Sequence, residues 1–234
     1  LDPSTAGDGI RGTDVIFDAD PDTAGFQTVV TPDLEIGTTL APFAGAALDL
    51  DADGAWQIDQ LDIQAQGAGI LLESGVAYDP VGETGLFFGT SAGTLVAPQA
   101  FRLDGGELGV TFDSVGSSGS SASGFELIDV TGSLDVTGTV DTPTDHALRV
   151  FGGSPTIAWQ GLLSGGSETV LLELMDGADI DLDEVETGLS GLRVQSDTAS
   201  TVDVVWLRGS TSGVGLRLDA NTGTTTHLDD MQVS

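Results

Sequence analysis

The chain has 234 residues, and its 37 Asp and Glu face six Arg and no Lys, for a net charge of −31 at pH 7. Such a surface repels phosphate backbones and anionic headgroups, which makes nucleic acid and membrane surfaces poor partners, and no apolar run approaches the ~20 residues that cross a bilayer. The lack of Cys and Lys excludes a disulfide scaffold, thiol catalysis, cysteine-based zinc sites and Schiff-base chemistry.

Taken in chain order, residues 1–44 contain Pro3, Pro21, Pro32 and Pro42 and read as atypical N-terminal rungs of a repeat protein. The opening Leu1-Asp2-Pro3, with neither an initiator Met nor a signal peptide, is expected of a piece of something longer. Ala47-Leu48-Asp49-Leu50 followed by Trp56-Gln57-Ile58-Asp59 forms a pair of short alternating runs, and Ile70-Leu71-Leu72 opens a second pair. Alternation over short stretches bounded by Gly, Ser, Thr and Asp is the mark of strands. Segment 74–98, with Pro80, Gly82, Gly85, Gly89 and Pro98, loses the rhythm and is expected to be an irregular rung or a loop thrown out from the repeat.

From Phe101 onward one apolar-charged-apolar phrase recurs. It reads Phe101-Arg102-Leu103, Phe125-Glu126-Leu127, Leu148-Arg149-Val150, Leu172-Glu173-Leu174, Leu192-Arg193-Val194 and Leu216-Arg217-Leu218, with middle residues 24, 23, 24, 20 and 24 positions apart. A second alternating run follows each phrase, as in Leu108–Phe112, Leu134–Val136, Ile157–Trp159, Ile180–Leu182 and Val202–Val204. A period in this range with two strands per unit points to a coil in which each rung buries its apolar rows against the next. The fold expected is all-β: a right-handed, single-stranded parallel β-helix of about nine rungs of 20–24 residues, forming a single domain over 1–234. The Ser/Gly stretch 116–124 keeps in step with the phrase and reads as a long turn.

Stacked rungs place the middle residues in one outward column, about 4.8 Å apart. Arg102, Glu126, Arg149, Glu173, Arg193 and Arg217 then form a ladder of mostly alternating sign, and opposite charges on neighbouring strands favour the correct register. The three tryptophans, Trp56, Trp159 and Trp206, share parity with apolar neighbours and are expected to point inward. His146 and His227 lack metal spacing, and His146 reads as a surface-turn residue.

Asp49, Asp51 and Asp53 begin like a calcium loop, with oxygens at alternate positions and Gly54 at the turn, but Gln60 stands where a bidentate Glu is required. They form a weak calcium candidate. Asp179-Ile180-Asp181-Leu182-Asp183 and Asp18-Ala19-Asp20-Pro21-Asp22 read as solvated acidic runs. No other cofactor is expected.

The runs Gly191-Leu192-Arg193-Val194, Thr201–Leu218 and Gly215–Thr225, with the opening Gly9–Asp20, resemble right-handed parallel β-helix repeats of very large secreted bacterial surface proteins and autotransporter-like adhesins. The near absence of Asn departs from that pattern, because Asn often stacks at the turns of such coils. The resemblance implies a non-catalytic extracellular structural or adhesive rod at the cell surface. Its expected partners are neighbouring rungs of a longer protein, further copies stacked end to end, or carbohydrate of a surface matrix. The alternative is a carbohydrate-active enzyme of the same fold, a polysaccharide lyase or a glycosidase, for which two facing carboxylates would suffice in the second case.

Overall fold

The computed structural model describes residues 27–51, 53–142, 145–166, 168–209 and 213–233. The first strands are β1 (Gln27–Ile36), β2 (Leu48–Asp51), β3 (Gly54–Gln64), β4 (Ala68–Glu73), β5 (Leu86–Val96) and β6 (Gln99–Asp104). The middle of the chain forms β7 (Glu107–Ser118), β8 (Phe125–Ile128), β9 (Thr131–Thr142), β10 (Leu148–Phe151), β11 (Ser154–Gly165) and β12 (Val170–Glu173). The last are β13 (Asp179–Thr187), β14 (Ser190–Gln195), β15 (Thr201–Gly209), β16 (Val214–Asp219) and β17 (Thr225–Val233), with no helix among the described residues.

The odd-numbered strands make one nine-stranded sheet in the order β1-β3-β5-β7-β9-β11-β13-β15-β17. The even-numbered strands make an eight-stranded sheet running from β2 to β16. Neighbours within each sheet pair in parallel. The chain is therefore a parallel β-solenoid of eight two-strand turns, with β1 adding a ninth strand to the longer sheet. At ~4.8 Å per turn the coil extends on the order of 40 Å.

Alternation explains the burial. On the shorter sheet the two apolar residues of each phrase point inward and are buried: Leu48 and Leu50, Ile70 and Leu72, Phe101 and Leu103, Phe125 and Leu127, Leu148 and Val150. On the longer sheet Ile58, Val110, Leu134, Ile157, Ile180 and Val202 make one stacked inward column, joined by Thr90, whose hydroxyl donates to the Ala92 carbonyl. The aromatics form a spine inside the coil. Phe101 stacks on Phe125 at 5.8 Å, and Phe125 and Trp159 pack edge to face at 4.9 Å between ring centres.

The longer sheet bends in mid-strand. In β9 and β11 the bend takes three residues between inward positions and includes Gly138 and Gly161 at positive φ. A Cβ on Gly138 would lie 2.2 Å from the Val115 carbonyl oxygen of the rung before it, so only glycine fits there. In β13 and β15 the bend takes two residues, and the register shifts between Trp159 and Leu162 where the longer bend meets the shorter.

The interruption in the middle of the chain is narrower than the sequence suggested. β5 pairs with both β3 and β7, so 86–96 is a regular rung strand. The excursion occupies residues 74–85 and closes on itself through an antiparallel bridge between Asp79 and Thr84, with Tyr78 packed on Phe87 at 5.5 Å. The Ser/Gly stretch is an ordered corner in which Ser117, Ser120 and Ser123 are buried. Arg11, the run Asp18–Asp22 and the opening Gly9–Asp20 lie outside the described residues.

Candidate functional site: an outward charged column and an acidic groove

The register of the shorter sheet sets the outward column. It runs Asp49, Leu71, Arg102, Glu126, Arg149, Leu171, Arg193, Arg217. The upper half behaves as a ladder. Glu126 lies between two guanidinium groups, with Arg102 Nε at 3.3 Å from one carboxylate oxygen and Arg149 Nη1 at 2.6 Å from the other. Arg102 also meets Asp104 of its own strand at 3.1 Å.

The lower half corrects the sequence reading. Glu173 stands outside the column, in register with Phe151 and Gln195, and the position between Arg149 and Arg193 belongs to Leu171. The phrase Leu172-Glu173-Leu174 matches the pattern but is out of phase, because Val170 and Leu172 are the inward residues and Leu174 sits at the corner with a φ of 58°. Leu171 is an outward apolar residue, and it is buried all the same. Its register neighbours are two arginines, whose aliphatic stems can cover an apolar neighbour while the heads stay wet.

Carboxylates that sequence reasoning missed supply the charge that Glu173 does not. Glu168, in the turn before β12, lies 3.4 Å from Arg193 Nη1, and Asp219 lies 3.4 Å from Arg193 Nε and 2.6 Å from Arg217 Nε. Glu168 also approaches His146 Nε2 at 3.9 Å, while Asp145 meets His146 Nδ1 at 2.6 Å. His146 is therefore a half-buried neighbour of two carboxylates and not a free surface residue. Glu168 was findable, since it follows His146 by 22 positions, one rung.

Among the described residues one carboxylate is buried. Asp197 is 1% exposed, in the corner after β14, and its Oδ1 accepts the Met175 backbone N–H at 2.9 Å. Oδ2 is buried without a partner, and burial pushes the pKa up to about 6. One rung on, Asn221 accepts the Asp197 N–H at 3.0 Å and donates to the Val194 carbonyl at 3.1 Å. The single Asn of the chain thus occupies the kind of turn stack whose scarcity the sequence suggested.

On the longer sheet, the outward column Asp135, Ala158, Asp181, Asp203, His227 runs past the bend. Beside it lies an open groove of about 430 Å³ lined by Gln160, Asp181, Asp183, Asp203 and Val205, among others. Partial burial, with Asp179 and Asp203 nearby, raises the pKa of Asp181. Trp206 is the second correction. It is 37% exposed, because the bend puts Val205 and Trp206 both outward before Leu207 returns to the core, so parity does not carry across it. The Arg208 guanidinium lies over its ring at 5.2 Å and pairs with Glu184 at 2.9 Å. Trp56 and Trp159 are buried as expected.

The three residues of the calcium candidate fall in β2 and in the turn after it. Asp49 is an exposed outward residue of β2, Asp51 ends that strand, and Asp53 lies in the following turn, where the Ser74 hydroxyl donates to it at 3.4 Å. Among the described residues no group of three or more His, Asp or Glu is placed to hold a metal ion.

No protein-family model, no curated protein and no solved structure matches this chain.

Proposed function

We propose that this protein is a non-catalytic structural rod of an extracellular or cell-surface assembly, with an adhesive role carried by its outward faces. The observation that carries the reading is the use to which the shorter sheet puts its cations. Four of the six arginines stand in one outward column, and each is engaged by a carboxylate of its own or a neighbouring rung, so that face holds the coil in register. A net charge of −31 without lysine suits solubility in salty, extracellular surroundings. Antibodies raised against the chain test the reading: they are expected to label intact, unpermeabilised source cells or their shed matrix. Labelling only after permeabilisation would contradict it.

A second reading, a carbohydrate-active enzyme, is favoured by the groove that carries Asp181, Asp183 and Asp203 close to the exposed Val205–Trp206 pair. Carboxylates beside an exposed aromatic are the groups such chemistry uses. Reducing-end release from a panel of neutral and uronic polysaccharides decides between the two. The rod reading expects none, whereas turnover abolished in both Asp181→Asn and Asp203→Asn would establish the enzyme.

A further inference from the structure

The corners that lead from the shorter sheet to the longer take two residues after β2, β6, β8 and β10 and five after β12, β14 and β16, whereas the corner after β4 takes twelve, residues 74–85. This excursion has its own internal bonding. The Asp79 and Thr84 backbones bond in both directions at 2.9 and 3.2 Å, Asp79 Oδ1 accepts the Val81 N–H at 2.9 Å, and the Ser74 hydroxyl donates to the Val76 carbonyl at 3.1 Å. It brings Tyr78, the only tyrosine of the chain, onto Phe87 with the ring planes inclined at 41°. Phe87 stands in an outward column of the longer sheet with Ala55, Glu107 and Thr131, and the column beside it, Gln57, Gly89, Gly109 and Ser133, carries little side chain. A Cβ on Gly109 would lie 3.2 Å from Phe87 Cζ, and one on Gly89 would lie 3.0 Å from Phe87 Cε1 and overlap the Gln57 side-chain oxygen. The two glycines thus make room for the Phe87 ring and the Gln57 amide on the sheet face, and Tyr78 stands beside them as a wall. Both rings are partly exposed.

We infer that the Tyr78–Phe87 notch is a binding site for an uncharged saccharide, with the excursion supplying one wall of it. Aromatic rings take the apolar C–H face of a pyranose, and the Gln57 amide and the Glu107 carboxylate beside them are the groups that bond its hydroxyls. Charge sets the class. Among the described residues the longer sheet has no Arg or His before Arg208, while Glu107 borders the notch and Asp79 and Glu83 stand on the excursion. A uronate, sulfate or phosphate would therefore meet carboxylates with no counter-charge, whereas a neutral sugar meets only acceptors for its hydroxyls. A single enlarged corner also suits recognition, because a coil tolerates an insertion there without disturbing the stacked rungs. The inference names a ligand class for the adhesive role proposed above and rests on that role only for its purpose, since surface labelling reports on the rod and retention by sugar reports on this site.

Affinity electrophoresis of the full chain through gels containing mannan, galactan, arabinoxylan or a soluble β-glucan, with alginate as the uronate control, tests it. Retardation by at least one neutral polysaccharide is expected, and none by alginate. Tyr78→Ala and Phe87→Ala are each expected to weaken binding about tenfold or more, Phe87→Tyr to keep it within about threefold, and Leu189→Ala, at an exposed apolar residue between β13 and β14, to leave it unchanged. Because loss of the Phe87 ring can loosen the sheet beneath it, a second variant replaces residues 74–85 by Gly-Gly, the corner that Gly105 and Gly106 make after β6. It is expected to melt within about 5 °C of the native chain and to lose binding. Tyr78 lies outside both sheets, so Tyr78→Ala reads binding apart from the stability of the coil. No retardation by any of the neutral polysaccharides, retardation by alginate alone, or binding that survives either Tyr78→Ala or loss of the excursion would each overturn the inference.

Discussion

Replacing Asp197 by Asn isolates the one carboxylate that is buried among the described residues. In the native chain its pKa lies at about 6 against 3.8 for the free side chain, raised chiefly by desolvation. Between about pH 4 and pH 6 the folded state holds a proton that the unfolded chain has released, so stability from this group falls as pH rises through that window and is level above it. A separation of about two units corresponds to at most about 3 kcal/mol. An Asn at the position keeps an oxygen for the Met175 N–H, as Asn221 does for the rung below, and carries no charge. Its amide protons need an acceptor, which trims the gain by about 1 kcal/mol. Asp197→Asn is therefore expected to be more stable than the native chain by about 1–3 kcal/mol at pH 7 and equal within about 0.5 kcal/mol at pH 4. Urea unfolding of both proteins from pH 4 to 7.5 at constant salt reads the difference, and the other carboxylates cancel in the comparison. A variant less stable at pH 7, or a gap independent of pH, would refute the reasoning.

Other substitutions address the remaining parts of the account. Glu126→Arg puts three cations in a row, and in thermal melts it should cost about 1–2 kcal/mol more than Glu126→Gln at low salt, a gap that shrinks in 1 M NaCl; equal costs would remove the register role. Gly138→Ala drives a Cβ against the Val115 carbonyl and should cost about 2 kcal/mol or more, whereas Gly215→Ala, which meets nothing within 4 Å, should stay within about 1 kcal/mol by urea unfolding. Trp159→Ala empties the aromatic spine and should cost about 3–5 kcal/mol, while Trp206→Ala should cost about 1 kcal/mol or less by the same assay; the reverse order would mean that the bend is misplaced.

The coil was legible because each rung repeats the same constraint. Phe101, Phe125 and Leu148 recur at one rung spacing, and the charged residues after them stack as the period requires. What the pattern could not carry was phase wherever the backbone departs from plain alternation. Leu172-Glu173-Leu174 reads as well as Val170-Leu171-Leu172 until the corner takes Leu174 into the left-handed region. Trp206 follows Val204 by two, yet the bend places two outward residues in succession. The corner residues Glu168 and Asp197 sit outside the strand phrases, and only counting rungs from His146 or Met175 finds them. The groove depends on a bend one residue shorter in β13 than in β11, a length difference that reveals its place only once the strands are paired.

The central claim is that one coil runs from β1 to β17. Hydrogen exchange followed by mass spectrometry, on dilute protein, tests it most directly. Continuous strong protection is expected over both sheets from β2 to β15. Protection broken into separate islands would contradict it.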